Sequence, residues 1–120
     1  MKKILKIVER LGIEGNPRKL TSLAYEAQDK IKLGVLETLV LKILQARINT
    51  DLSPEYFEAD FGKAVNFLDS EIANEFRKTM NNWNGDNSVF DDFLAEIWGN
   101  MTEESQRNIQ DALQLSFFLS

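Results

Sequence analysis

One stretch of the chain, residues 35–48, is apolar on nearly every side when it is drawn as a helix. Its apolar residues include Val35, Leu36, Leu39, Val40, Leu41, Ile43, Leu44 and Ile48. A helix of this kind is stable in water only when it is buried on several sides at once. We therefore predict a central helix over residues 35–48, which the rest of the chain must cover.

The same stretch is a poor candidate for a membrane span. Glu37, Lys42 and Arg47 interrupt it, and it is shorter than the ~20 apolar residues that a spanning helix needs. Near the N-terminus, Lys6 and Glu9 break the apolar core that a signal peptide requires. We expect no membrane partner and a cytoplasmic location.

Apolar residues recur at steps of three and four along most of the remaining chain, which contains 2 prolines and no run of β-branched residues. This periodicity is typical of amphipathic α-helices. We predict an all-α fold in a single domain over residues 1–120, a bundle of six or seven helices with short loops. The expected helices cover residues 2–11, 17–33, 35–48, 54–83 (with a break or kink near Asp69), 88–99 and 103 onward.

Residues with strong positional preferences set the expected helix ends. We predict that Gly12 ends the first helix in a left-handed conformation and that Gly34 ends the second. Leu52 and Phe57 occupy hydrophobic-staple positions around the start of the fourth helix. Side-chain N-caps are expected at Asn16, Ser53, Ser88 (with Asp91 as its capping-box partner) and Thr102.

Histidine and cysteine are both absent from the 120 residues. Their absence excludes thiolate nucleophiles, Fe–S clusters and thiolate zinc sites. It also removes the usual general base near neutral pH and the triads that depend on it. We expect no enzymatic activity and no cofactor. An enzyme working with carboxylate, Lys, Ser or Tyr side chains alone is the third hypothesis, and no spacing identifies a nucleophile with its base.

Two carboxylate pairs have the four-residue spacing that places both side chains on one helix face: Glu71 with Glu75, and Asp92 with Glu96. A specific cation site also needs a cleft, and the apolar stripe of the same helix puts Asp92 and Glu96 on its solvent side. The Asn-rich loop at residues 82–86 does not match the register of a calcium-binding loop. We predict no metal site.

Charge is divided unevenly along the chain, whose formal net charge is −5. Residues 1–33 carry a net charge of +4 and residues 34–120 carry −9. In the basic third, Arg18, Tyr25 and Lys32 are seven residues apart and are expected to share one face of the second helix. An aromatic ring between two cations suits base stacking and phosphate contacts. Nucleic-acid binding through these three residues is the second hypothesis.

Large aromatic residues beside acidic ones give the leading hypothesis. Trp83 precedes a polar loop, and Trp98 lies at the border of the helix that carries Asp91, Asp92 and Glu96. Aromatic side chains at such a border are typical of protein–protein interfaces. We predict a non-enzymatic interaction module that binds a protein with a basic surface through Trp83, Asp91, Asp92, Glu96 and Trp98.

The C-terminal residues leave the oligomeric state open. Leu115, Phe117, Phe118 and Leu119 are more than one helical stripe can bury, so at least one is expected to face solvent or a partner. A homodimer is therefore possible. An inhibitor, an immunity protein, an adaptor and a small complex subunit all fit the leading hypothesis.

Overall fold

The computed structural model describes residues 2–48 and 55–119, with the side chains of all of these except residues 2, 17 and 55–57. Within these ranges the secondary structure is helical, and no strand occurs. The α-helices are α1 (Lys2–Arg10), α2 (Leu20–Lys30), α3 (Val35–Ile48), α4 (Glu55–Ala64), α5 (Ser70–Asn81), α6 (Asp91–Asn100) and α7 (Glu103–Leu119). Short 3-10 helices cover Pro17–Lys19, Val65–Phe67 and Asn87–Phe90. The predicted all-α bundle is confirmed.

The central helix, α3, coincides with the all-round apolar stretch. Leu39, Val40, Ile43 and Ala46 are fully buried. The helix α4 packs along α3, while α7, α6 and the 3-10 helix Asn87–Phe90 cover other parts of its surface. Burial from several directions is what an all-round apolar helix requires, so the prediction of a central helix is confirmed.

Aromatic rings join the helices around α3. Phe76 of α5 is fully buried, and its ring centroid lies 4.4 Å from that of Phe61 on α4. The centroids of Phe93 and Phe90 lie 4.3 Å and 5.3 Å away on other sides. Tilted rings at these separations attract each other beyond the gain from burying their surface. Phe76 therefore ties α4, α5 and α6 into one core.

A second apolar cluster joins α1, α2 and the C-terminal half of α7. Its buried members are Ile4, Ile7, Val8, Leu23, Ala24, Ala27 and Leu115. The helix α7 belongs to both clusters, because its Ile109 packs in the cluster around α3. The molecule measures 48 × 28 × 20 Å with a radius of gyration of 15.6 Å. This exceeds the ~14 Å typical of a compact domain of this length, in line with two clusters bridged by one long helix.

Several predicted helix ends are confirmed. Gly12 follows α1 with a left-handed φ of +72°. The Asn16 side chain accepts a hydrogen bond of 3.0 Å from the backbone N–H of Arg18. Thr102 Oγ1 accepts one of 3.1 Å from Ser105 N at the start of α7. The break near Asp69 is also present, since the Asp69 carboxylate caps α5 by accepting from Glu71 N at 2.9 Å.

The prediction that Gly34 ends the second helix is wrong. The helix α2 ends at Lys30, and Ile31 is already extended, with φ −83° and ψ 110°. Gly34 instead begins α3: its N–H donates to Glu37 Oε1 at 3.1 Å, and its carbonyl accepts from Thr38 N at 2.9 Å. The first bond satisfies a backbone N–H that a helix start leaves free, and the second is the first hydrogen bond of the helix itself, so Gly34 is used at the beginning of a helix.

The predicted cap at Ser88 is also wrong. The Asp86 carboxylate caps this region by accepting a 3.0 Å hydrogen bond from Ser88 N. A 3-10 helix, Asn87–Phe90, then precedes α6, and the Asp91 carboxylate bonds to Arg47 instead of closing a capping box. The predicted cap at Ser53 and the staple of Leu52 with Phe57 fall outside the described side chains.

We expect Phe76→Ala to lower the free energy of unfolding by about 3–5 kcal/mol, because it removes the ring shared by three helices. Phe67→Ala is the matched control, since Phe67 is 69% exposed, and should change stability by less than about 0.5 kcal/mol. Urea denaturation followed by circular dichroism measures both. Equal losses for the two variants would show that Phe76 does not join these helices in solution.

Candidate functional site

The helix α6 has a buried face, an acidic face and a half-buried aromatic flank. Phe93 and Ile97 are buried against the core. Asp92 and Glu96 are exposed on the solvent side, as the sequence predicts. Trp98 is half-buried at the edge of the core. Helical periodicity therefore places the carboxylates and a large aromatic ring on neighbouring faces of the same short helix.

An apolar cleft lies along this flank. Leu44 of α3 and Leu94, Ala95 and Trp98 of α6 line it, and its volume is about 180 Å³. Leu44 belongs to the part of α3 that its neighbours do not fully cover. Ile48 lies four residues further on, at the spacing that continues this stripe, and is 60% exposed. We call the cleft of these four lining residues the α6 groove.

An ion pair fixes the position of α6 relative to α3 beside the groove. Arg47 Nε donates to Asp91 Oδ1 at 2.7 Å, and an Arg47 terminal nitrogen donates to Oδ2 at 3.3 Å. This two-pronged geometry holds a carboxylate in one orientation. Arg47 lies in the last turn of α3 and Asp91 in the first turn of α6. At these positions each charge interacts favourably with the dipole of its own helix. Asp91 is therefore paired within the chain, although half of its side chain remains exposed.

The start of α6 is attached to α3 by a buried amide. Asn87 is only 2% exposed, and its Nδ2 donates a 2.6 Å hydrogen bond to the carbonyl of Ala46. That carbonyl lies in the last described turn of α3, and carbonyls near a helix C-terminus commonly depend on partners outside the helix. The sequence alone does not single out Asn87, because an asparagine inside an Asn-rich loop is typical of a turn.

Asp86, which is exposed, caps the 3-10 helix that carries Asn87. Hydrogen bonds from the Ser88 side chain and backbone hold the pKa of the Asp86 carboxyl below its ordinary value of 3.8, and the nearby charge of Arg47 lowers it further. Gly85 precedes it with a φ of +100°, a conformation that favours glycine. The bend at Gly85 therefore leads directly into the cap of the 3-10 helix.

The predicted partner-binding residues are only partly brought together. Asp91 and Trp98 belong to the flank with the groove, and Asp92 and Glu96 belong to the acidic face of the same helix. Trp83 is set apart from them: it is half-buried, with its ring centroid 5.7 Å from that of Phe90 in an edge-on arrangement. It packs at the margin of the core before α6 begins.

The neighbourhood of α6 is strongly acidic in sequence as well as in structure. No lysine or arginine occurs between Lys78 and Arg107. The same interval contains the acidic residues Asp86, Asp91, Asp92, Glu96, Glu103 and Glu104. A local excess of one sign raises the concentration of oppositely charged partners near a surface. The α6 residues of the groove thus lie in the longest interval of the chain without a lysine or arginine.

The residues of the second hypothesis do not lie on one helix. Arg18 is in the 3-10 helix Pro17–Lys19, Tyr25 is on α2, and Lys32 follows the end of α2. All three are exposed. Their seven-residue spacing places them on a common face only in a continuous α-helix, so the expectation that they share one face of the second helix is wrong. The proline turn and the early end of α2 are the reason.

The described part of the chain contains no group of three carboxylates placed to hold a metal ion. Among the same residues, no helix has both the length and the apolar character needed to cross a membrane. No protein-family model, no curated protein and no solved structure matches this chain.

We expect Asn87→Ala to lower the free energy of unfolding by about 1–3 kcal/mol, because it leaves the buried Ala46 carbonyl without this donor. Asn82→Ala, at an exposed asparagine of the same region, is the matched control and should change stability by less than about 0.5 kcal/mol. Thermal unfolding measures both variants. A fully stable Asn87→Ala protein would contradict the role of this amide in attaching α6.

Proposed function

We propose that this protein is a non-enzymatic binding module whose helix α6 docks another protein that has a basic surface. The proposal rests on the α6 groove, an apolar cleft whose α6 residues, Trp98 among them, lie in the longest interval of the chain without a lysine or arginine. An aromatic anchor beside charged residues is the usual arrangement of an interaction hot spot.

Charge attraction is the first step of the proposed association. Asp92 and Glu96 form no ion pair with any residue in the described ranges, so their charge is available to a partner. Exposed carboxylates of this kind mainly increase the rate of encounter with a basic protein. Asp91 pairs with Arg47, so less of its charge is available for this step than that of Asp92 and Glu96.

Apolar contact is the second step. The α6 groove is lined by apolar side chains from two helices, and the Arg47–Asp91 pair and the Asn87 bond fix those helices relative to each other. A cleft that is already formed loses little conformational entropy when a side chain enters it. Its volume of about 180 Å³ suits one large apolar side chain of the partner.

The remaining features fit a structural role more than a chemical one. Trp83 packs on Phe90, so we assign it to supporting the base of α6. The absence of histidine supports a non-enzymatic protein, and the absence of cysteine supports a cytoplasmic location, since small secreted domains are commonly rich in disulfides. An inhibitor, an immunity protein, an adaptor or a complex subunit would each use such a module.

Site-specific photo-cross-linking in cells of the source organism identifies the partner. The cross-linking amino acid replaces Ala95, which is exposed and lines the groove. A second variant carries it at Glu26, an exposed position on α2, as the control. We expect one basic protein to be captured from position 95 and not from position 26. Equal capture from both positions would contradict docking at the α6 groove.

With that partner purified, we expect Asp92→Lys with Glu96→Lys to slow association by about tenfold or more at low salt and to flatten its salt dependence. The melting temperature should stay within about 3 °C, because both residues are exposed. Glu71→Lys with Glu75→Lys is the control: it makes the same change of charge at an exposed pair on α5. Equal slowing of association by both double variants in stopped-flow measurements would contradict the proposal that the carboxylates of α6 attract the partner.

A further inference from the structure

We propose a second binding site, for the phosphate group of a compact ligand, in a cleft between α1 and α7. Lys3, Lys6 and Arg10 of α1 line the cleft together with Arg107 and Asp111 of α7, and its volume is about 240 Å³. We call it the basic cleft. It is separate from the α6 groove and shares no lining residue with it.

The cations of the basic cleft converge from two helices. Lys3, Lys6 and Arg10 are three and four residues apart, which places them on one face of α1. Arg107 faces them from α7, where Asp111 lies one turn further along the same face. The five charged residues sum to +3 in a chain whose net charge is −5. A concave surface that concentrates one charge sign focuses its field on the ligand space.

The carboxylate that lines the cleft, that of Asp111, already forms an ion pair. Asp111 pairs with Arg10, and its side chain is only 12% exposed. Within the described residues, no carboxylate pairs with Lys3, Lys6 or Arg107. Asp111 also orients the Arg10 guanidinium, which has five N–H donors and retains some for a second acceptor. The cleft therefore offers an oriented guanidinium and three further cations.

These cations destabilise α1 in the absence of an anion. The first turn of α1 contains lysines and no acidic residue, although the helix dipole favours acidic side chains there. Lys6 and Arg10 are four residues apart and repel each other along the helix. A bound dianion would offset both the unfavourable interaction with the helix dipole and the repulsion between the cations.

The size and setting of the cleft favour a compact ligand. Its volume is below the roughly 300–1,000 Å³ of sites for drug-sized molecules, so it suits a phosphate or the end of a small phosphomonoester. The net negative charge of the chain opposes a long polyanion such as nucleic acid. The apolar residues Ile4, Ile7 and Val8 of α1 are buried, so they are not available to enter a lipid bilayer.

The test is a calorimetric titration with inorganic phosphate at an ionic strength of about 10 mM, where exposed charges act over ~30 Å. We expect saturable binding that slows hydrogen exchange of the α1 amides and raises the melting temperature. Lys6→Glu with Arg107→Glu should weaken binding by at least about tenfold. Both residues are exposed, so this variant should still fold. Arg107→Glu places a carboxylate one turn from Glu103 and from Asp111, which offsets the repulsion relieved on α1, so the melting temperature without phosphate should stay within about 3 °C of the wild type.

Lys30→Glu with Lys32→Glu is the matched control, since it makes the same charge change at exposed positions outside the cleft. It should alter phosphate affinity by less than about twofold, as generic attraction alone would. Equal weakening by both double variants, or equal protection of α1 by chloride at matched ionic strength, overturns the proposal. Binding of a single-stranded oligonucleotide or of phosphatidylserine vesicles without binding of phosphate also overturns it, in favour of a polymer or a membrane.

Discussion

The burial of α3 is the constraint on which the rest of this structure depends. An α-helix that is apolar on nearly every side costs free energy in water on each side that stays uncovered. Four elements meet this demand, with α4 along the helix and α7, α6 and the 3-10 helix Asn87–Phe90 on other sides. The aromatic cluster around Phe76 then follows, because the rings fill the space between the helices that α3 gathers.

The proposed binding face includes the part of α3 that the covering helices leave exposed. Leu44 is half-buried and Ile48 is exposed, so the covering helices leave one stripe of α3 open. That stripe meets Trp98 in the α6 groove. Polar bonds at the groove's edge, from Arg47 to Asp91 and from Asn87 to Ala46, fix the position of α6 without covering the stripe. In the proposed complex, an apolar side chain of the partner would cover this exposed stripe.

The sequence predicts the parts of this fold that depend on local chemistry. The caps at Asn16 and Thr102 and the left-handed Gly12 depend on residues within three positions, and all three are correct. The errors at Gly34 and Ser88 have one cause: a neighbouring residue competes better for the same backbone groups. Glu37 bonds the Gly34 N–H, and the Asp86 carboxylate takes the Ser88 N–H. The capping propensity of a residue type does not by itself predict which of two neighbouring side chains will bond a given backbone N–H.

The contacts that shape the two candidate sites are not visible in the sequence. Arg47 and Asp91 are 44 residues apart, Asn87 and Ala46 are 41 apart, and Arg10 and Asp111 are 101 apart. Each pairing depends on how helices are arranged in space. The acidic face and the basic first helix are visible, since helical periodicity sorts charges onto faces. What the structure adds is that each charged face borders a cleft.

Docking at the α6 groove can be measured by acrylamide quenching of Trp98 fluorescence, in a Trp83→Phe variant that leaves a single tryptophan. We expect acrylamide to quench Trp98 in the free protein, and saturation with the partner identified by cross-linking to shield it. A Trp98 signal that the partner leaves unchanged would contradict docking at the α6 groove. A signal that acrylamide cannot reach in the free protein would show that the groove is closed.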